Sequence, residues 1–142
     1  MEIVNEGWVF KQSKYLKRMR KRYIILTKNF ICSFKSQYYQ GEKPTEILYL
    51  SKFTELTSTE DVRKIKLVES ELGLTNIHLF NIRYNNRKIL FVTMDKDEKN
   101  RWIIAAFLSL SSPYNLSLSP LDHHFAEHIS KQMIKPTVML SE

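Results

Sequence analysis

The chain has 142 residues, of which 43% are hydrophobic, with only 3 Gly and 4 Pro. This length suits one domain with its own core, and the composition excludes a wholly disordered chain. The net charge of +7 lies in one quarter of the chain, because residues 7–41 hold nine Lys or Arg and no acid, whereas the rest holds thirteen basic and fifteen acidic residues. Such concentrated charge indicates an anionic partner such as phosphate, nucleic acid or a lipid surface.

The first third of the chain has the pattern of an antiparallel meander. Three short segments rich in β-branched and aromatic residues are separated by a basic stretch and by the two-residue turn Lys28–Asn29. After a break at residues 42–44, two further segments are predicted as strands. The five predicted strands are "GWVF", "RYIILT", "FICSFKS", "EILYLSKFTEL" and "VRKIKLVES".

A hairpin and a helix follow. "IHLFNIRY" and "KILFVTM" are predicted as strands joined by a tight turn at Asn85–Asn86. From residue 96 to 110, Trp102 and its apolar neighbours recur at helical spacing, after an Asp-x-x-Glu capping box formed by Asp95 and Glu98. These carboxylates are therefore interpreted as caps of a helix N-terminus and not as a catalytic pair.

The last thirty residues are predicted as an appendage. We divide the chain into a domain at residues 1–112 and a Ser/Pro linker with an amphipathic tail helix at residues 113–142, because apolar residues recur there every four positions up to Pro136. His124 and His128 have the i, i+4 spacing of metal ligands, but no third ligand is near, so no metal site is predicted. The apolar positions are Leu121, Phe125, Ile129 and Met133.

Taken in order, these segments resemble a pleckstrin-homology (PH) domain over roughly residues 5–110. A Gly-Trp first strand, a second strand of basic and aromatic residues that ends in Leu-Thr, and a C-terminal helix with an inward Trp, here Trp102, recur in that family. The resemblance implies a mainly β fold: a barrel of two nearly orthogonal antiparallel sheets of about seven strands. The C-terminal helix would close one end, and the loops between early strands would form the other.

Two arginines of the second strand are predicted to act together. Side chains alternate along a strand, so Arg20 and Arg22 share a face and Lys21 points to the other, with the two arginine Cα atoms about 6.6 to 6.8 Å apart. Arginine binds phosphate oxygens bidentately and stays charged. This spacing therefore suits two neighbouring phosphates on one small ring.

The same stretch is similar to the phosphoinositide signature of the PH family, a Lys, a variable loop and then a basic residue two positions before an Arg. Lys11, Arg20 and Arg22 match these positions. The loop "QSKYLKRM" would add Lys14, Lys17 and Arg18 to the binding residues. Its apolar residues Tyr15 and Leu16 are predicted to insert among lipid headgroups.

The sequence departs from the family pattern at two positions. Members selective for 3-phosphorylated polyphosphoinositides carry a Tyr late in the third strand and a basic residue before the fourth, where this chain has Ser33 and Thr45, followed by Glu46. High-affinity binding of the 3,4,5-trisphosphate is therefore not expected. Mono- or bisphosphates, or a broad anionic preference, stay open.

The predicted function is that of a phosphoinositide or anionic-lipid-binding module, cytoplasmic and recruited peripherally to the cytosolic face of a membrane. "MEIVNE" lacks a signal-peptide pattern, and the longest apolar run, residues 102–108, is far shorter than the ~20 residues of a spanning helix. The alternatives are a protein-interaction adaptor that uses a sheet edge or the tail helix, a basic loop that is merely solvated and, less favoured, a nucleic-acid binder. No enzyme, metal or cofactor is predicted, since no phosphate-cradling Gly-rich loop or credible ligand cluster is present.

Overall fold

A computed structural model describes residues 2–14 and 18–110. In this part of the chain seven antiparallel strands form one hydrogen-bonded sheet in the order β4-β3-β2-β1-β7-β6-β5. A 3-10 turn, Leu50–Lys52, links β4 to β5. The strands are β1 Ile3–Gln12, β2 Met19–Thr27, β3 Phe30–Phe34, β4 Glu46–Tyr49, β5 Phe53–Thr59, β6 His78–Tyr84 and β7 Arg87–Thr93; the helices are α1 Val62–Leu72 and α2 Lys96–Leu110.

The sheet curls into a barrel about strand β1. This strand pairs with β2 along nearly its whole length, but it pairs with β7 only at Phe10 and Lys11. The outer parts of the two halves meet where the Tyr49 amide of β4 donates to the Tyr84 hydroxyl of β6 at 3.2 Å. The predicted barrel is confirmed, and its two sheets are the two halves of one continuous sheet.

The main hydrophobic core lies inside this curl. Alternate residues of β1, β2, β3, β4, β6 and β7 point inward, and helix α2 adds Trp102 and Ala106, which are 3% and 2% exposed. The rings of Phe80 and Phe91 stack with centroids 5.0 Å apart. Burial of each large apolar side chain contributes about 1.5–3 kcal/mol. Strand residues in this cluster include Val9, Ile24, Leu26, Ile31, Leu48, Ile82 and Ile89.

Helix α2 begins as the sequence predicts. The Asp95 carboxylate accepts a hydrogen bond from the Asp97 amide at 3.1 Å, and the Asp95 carbonyl accepts one from the Lys99 amide at 3.0 Å. Asp97 and Glu98 lie in the first turn, where negative charge favours the helix dipole. The capping interpretation of Asp95 and the inward position of Trp102 are therefore confirmed. In the described part of the chain, neither helix has the length and hydrophobicity needed to cross a bilayer.

The strand predicted at "VRKIKLVES" is wrong, because these residues form helix α1. Asp61 caps the helix by accepting from the amides of Arg63 and Lys64 at 3.0 and 3.4 Å, and Gly73 ends it in the left-handed conformation at φ 67°. Ile65, Val68 and Leu72 form the apolar stripe, which packs on the outer side of β6 and β7 with Leu79, Leu90 and Val92.

The predicted strand "EILYLSKFTEL" is in fact two strands, because the 3-10 turn at Leu50–Lys52 interrupts it. This break carries the chain from one edge of the sheet, β4, to the other edge, β5. The linker and tail helix predicted at residues 113–142, with the histidines there, lie outside the described residues, as do Tyr15, Leu16 and Lys17.

Candidate anion-binding site

A cavity of about 850 Å³ opens at the end of the barrel away from α2. Three segments line it: the β1–β2 region, the residues that lead into β4, and the β6–β7 turn. Helix α2 follows the opposite end of β7, so the helix and the cavity occupy different ends of the barrel. The lining residues include Lys11, Ser13, Lys14, Arg20, Arg22, Pro44, Thr45, Glu46, Tyr84, Asn85, Asn86 and Arg87.

Strand β2 supplies the basic wall of this cavity. Arg20 and Arg22 both line it, whereas Lys21 lies on the other face, with its ammonium 5.1 Å from the centroid of the Trp8 ring. The predicted shared face of the two arginines is confirmed. Partial burial and then the neighbouring charge of Arg20 lower the pKa of Arg22. The two guanidinium groups repel each other, so a bound anion between them would be favoured.

Opposite these arginines, Glu46 holds two cations at once. Its carboxylate accepts a hydrogen bond from the Lys11 ammonium, and it accepts bonds from Arg87 Nη1 at 2.5 Å and Arg87 Nη2 at 3.3 Å. The side chains of Lys11, Glu46 and Arg87 are 5%, 13% and 25% exposed. This ion-paired cluster joins β1, β4 and β7 at the floor of the cavity.

The pKa values of both Glu46 and Lys11 are lowered, but for different reasons. Burial alone would raise the pKa of Glu46, but the Arg87 hydrogen bond and the Lys11 charge outweigh burial, so the pKa is lowered. Burial lowers the pKa of Lys11, and the attraction of Glu46 only partly offsets this effect, because Arg87 and Arg22 also lie near. Glu46 is therefore favoured in its ionised form.

The structure brings together four of the six cations that the sequence analysis proposed as ligand contacts: Lys11, Lys14, Arg20 and Arg22. Arg18 is exposed on the loop, where its amide donates to the Ser13 hydroxyl at 3.2 Å, and it is not among the cavity-lining residues. Lys17 lies outside the described residues.

Sequence reasoning missed Arg87 as a lining residue. The signal was available, since this arginine directly follows the Asn85–Asn86 turn, which the fold places at the same end as the β1–β2 loop.

Ser33 and Thr45, where the family pattern has a Tyr and a basic residue, bond to each other. Their hydroxyl oxygens are 2.8 Å apart, and the Thr45 amide donates to the Ser33 carbonyl at 2.7 Å. Ser33 is buried and Thr45 lines the cavity. These short polar side chains satisfy one another and contribute no charge to the site.

Helix α1 supports the entry to β2. The Met19 amide donates to the Glu71 carboxylate at 3.1 Å, and the Met19 side chain packs against the same buried cluster as Ile65 and Leu72 of the helix. Within the loop, the Ser13 amide donates to the Arg18 carbonyl at 2.7 Å. The element misread as a strand therefore anchors one end of the loop beside the cavity.

Residues 2–14 and 18–110 contain no group of three His, Cys, Asp or Glu side chains placed to hold a metal ion. Cys32 is fully buried in β3, and burial raises the pKa of its thiol, which keeps it protonated and unreactive.

The barrel, its closing helix and the basic cavity between early loops define a PH domain. A model of the PH domain family matches residues 3–106, so this chain belongs to that family. Members of this family are generally not enzymes. No curated protein matches the sequence.

Solved structures agree on the fold. The activated truncation of Vav1 superposes with a TM-score of 0.61 at 13% identity, over 79% of this chain and 27% of that one, so this chain spans about a quarter of its length. The human ARAP2 N-terminal PH domain gives 0.54 at 23% identity, over 81% and 85%. The Slm1 PH domain, solved in complex with D-myo-inositol-4-phosphate, gives 0.54 at 21%, over 79% and 99%.

Proposed function

We propose that this PH domain binds anionic membrane lipids, phosphoinositides in particular, and thereby associates peripherally with the cytosolic face of a membrane. One observation carries the proposal: Arg20 and Arg22 line one cavity at the open end of the barrel, together with Lys14 and Arg87. Guanidinium groups bind phosphate oxygens bidentately, so this arrangement suits a phosphorylated inositol ring.

The basic residues take different parts in this binding. Arg20 and Arg22 contact phosphate directly, Lys14 adds charge at the cavity wall, and Lys11 acts from beneath through its pair with Glu46. Arg18 lies outside the cavity lining and attracts an acidic leaflet, and Lys17, its neighbour in the sequence, adds to this attraction, each contributing on the order of 1 kcal/mol near the surface.

A PH domain of the same fold supports this ligand class, since the Slm1 domain was solved with D-myo-inositol-4-phosphate. The volume of the cavity, about 850 Å³, is of the size that small-molecule sites have.

Liposome co-sedimentation of the full 142-residue chain tests the proposal, with vesicles that carry mono-, bis- or trisphosphorylated phosphatidylinositol at physiological salt. Arg22→Ala is expected to weaken binding roughly tenfold, because it removes a charge-assisted, bidentate contact. Lys21→Ala is the matched control: it removes the same charge from the neighbouring residue, which lies on the opposite face over Trp8. Its binding is expected to change less than about twofold.

Two results would contradict specific phosphoinositide binding in the cavity. The first is that the chain binds phosphatidylserine and phosphoinositide vesicles equally, that this binding is lost at physiological salt, and that both variants weaken it to the same extent. This result would reduce the function to nonspecific charge attraction. Absence of vesicle binding by the wild-type chain would favour the adaptor alternative.

The proposal also assigns a role to Tyr15 and Leu16, which insert among the lipid headgroups when the domain binds a membrane. Replacing both by Ser should weaken vesicle binding but leave binding of a soluble inositol phosphate unchanged, because the latter needs no insertion. Unchanged vesicle binding in the double variant would remove insertion from the mechanism.

A further inference from the structure

Glu46 is a carboxylate in a cavity whose other charged lining residues are cations. The lining contains five basic side chains and this one acid. The Glu46 side chain is only 13% exposed, so it is a mostly buried part of the cavity lining and not a side chain that extends into solvent. A carboxylate in this position limits the number of cations that are available to an anionic ligand.

Glu46 already occupies two of these cations. Lys11 donates to its Oε1, and both terminal nitrogens of Arg87 donate to its two oxygens. This two-pronged contact is the one by which arginine also binds a phosphate. The carboxylate therefore competes with any phosphate for Arg87 and Lys11.

The arginine pair on β2 is different. Among the described residues, no carboxylate lies within ion-pair distance of Arg20 or Arg22. A phosphomonoester carries about −1.5 to −2 charges at neutral pH. Two guanidinium groups thus match the charge of one phosphomonoester.

A second phosphomonoester meets a less favourable site. It would have to displace Glu46 from Lys11 and Arg87 or accept its negative charge nearby. Displacement would leave a half-buried carboxylate without its partners, which is costly.

We propose that Glu46 is a specificity-determining residue that makes this pocket select headgroups with one phosphomonoester over headgroups with two. This inference rests on the proposed lipid-binding function and names the ligand class of the same site: the headgroup of a phosphatidylinositol monophosphate.

Isothermal titration of the full chain with dioctanoyl phosphatidylinositol 4-phosphate and dioctanoyl phosphatidylinositol 4,5-bisphosphate tests it without a charged surface. The wild-type chain should bind the monophosphate more tightly than the bisphosphate. Glu46→Gln should raise affinity for the bisphosphate roughly tenfold and for the monophosphate less than about threefold, since it releases Lys11 and Arg87 for the second phosphate. Inorganic phosphate, titrated alone, should bind far more weakly than either lipid.

Two further variants separate this mechanism from general charge. Glu55→Gln removes one negative charge from β5, outside the cavity, and should leave the affinity ratio unchanged. The double variant Lys11→Met/Glu46→Gln keeps the net charge of the lining but releases Arg87, and replacing a buried pair by neutral residues is tolerated. This double variant should still shift the ratio of the two affinities toward the bisphosphate, and it provides the test if Glu46→Gln alone fails to fold.

The outcomes distinguish a failure of the proposed lipid binding from a failure of the role of Glu46. If the wild-type chain binds neither lipid, the proposed function fails and this inference falls with it. If binding is present and sensitive to Arg22→Ala, but the double variant and Glu46→Gln leave the ratio unchanged, the role of Glu46 alone is overturned. A wild-type chain that binds the bisphosphate as tightly as the monophosphate, or more tightly, would overturn it as well.

Discussion

The two ends of the barrel are held by different interactions. At the helix end, Trp102 and Ala106 of α2 pack on the apolar interior. At the cavity end, the close contacts are between charges, with Glu46 between Lys11 and Arg87, and with Arg20 beside Arg22. Packing stabilises the fold, whereas partly buried like charges cost stability and are useful only to a bound anion. The helix end therefore supports a cavity that is not optimised for stability.

Each end also has a buried lysine, and the two differ in their partners. Lys99 of α2 donates to the Ser58 hydroxyl at 2.8 Å and to Glu60 at 3.2 Å, and the Glu60 side chain is 77% exposed. The Lys99 side chain is 5% exposed, so this ion pair meets solvent through the carboxylate of Glu60. Lys11 instead pairs with a carboxylate that is itself mostly buried. Of these two ion pairs, the one at the cavity end is the more deeply buried, so we expect its loss at low pH to cost more stability.

The largest effect is expected at the helix end. Trp102→Ala removes a large buried side chain from the core and should lower the free energy of unfolding by about 3–5 kcal/mol, measured by urea unfolding with far-UV circular dichroism. Phe107→Ala on the same helix is the control, because that ring is 60% exposed and its loss should change stability by less than about 0.5 kcal/mol. Equal effects of the two substitutions would contradict the role of Trp102 as the core residue of the helix end.

A smaller effect, dependent on pH, is expected at the cavity end. The folded state lowers the pKa of Glu46, so its contribution is fully present above the ordinary glutamate pKa of about 4.3 and is lost as the pH falls through the folded-state value. Protonation of Glu46 should remove about 1.5–3 kcal/mol, the usual strength of hydrogen bonds to a charged group. The measurement is urea unfolding at pH 7, 5, 4 and 3.

Two variants isolate this effect from the titration of other carboxylates. Glu46→Gln should lose less stability than the wild type between pH 5 and pH 3, since it has no charge at this position to lose. Trp102→Ala should show the wild-type pH dependence, displaced by a constant amount. Parallel curves for Glu46→Gln and the wild type would show that the cavity ion pairs add nothing to stability.

The sequence predicted those parts of the molecule that depend on short-range patterns. The β1–β3 meander, the β6–β7 hairpin and α2 follow from alternation, turn residues and helical spacing. The shared face of Arg20 and Arg22 follows from the two-residue period of a strand. The cluster of Glu46 with Lys11 and Arg87 could not be found in this way, because its members are 35 and 41 residues apart and meet only when the barrel closes.

The error at α1 has a local cause. Val62 and Leu67 are exposed apolar residues, at 63% and 67%, and they obscured the helical period of the residues that pack. The cap signals, Asp61 before the segment and Gly73 after it, pointed to the helix. The number of strands was still right, because one predicted strand is a helix and another is divided into two.

The smallest predicted effect tests that helix. Asp61→Ala removes the side chain that accepts from the amides of Arg63 and Lys64, and should lower stability by about 1 kcal/mol, seen as faster amide hydrogen exchange in α1 and in urea unfolding. Asp61→Asn keeps an acceptor and loses only the favourable charge at the helix N-terminus, so its cost should be a few tenths of a kcal/mol.

Because Glu71 of the same helix accepts from the Met19 amide, exchange at Met19 should rise in Asp61→Ala and not in Asp61→Asn. A rise at Met19 would show that α1 stabilises the entry to β2, and hence the strand that places Arg20 and Arg22 in the cavity. Unchanged exchange at Met19, with α1 itself loosened, would show that the cavity wall stands without the helix and depends on pairing with β1 alone.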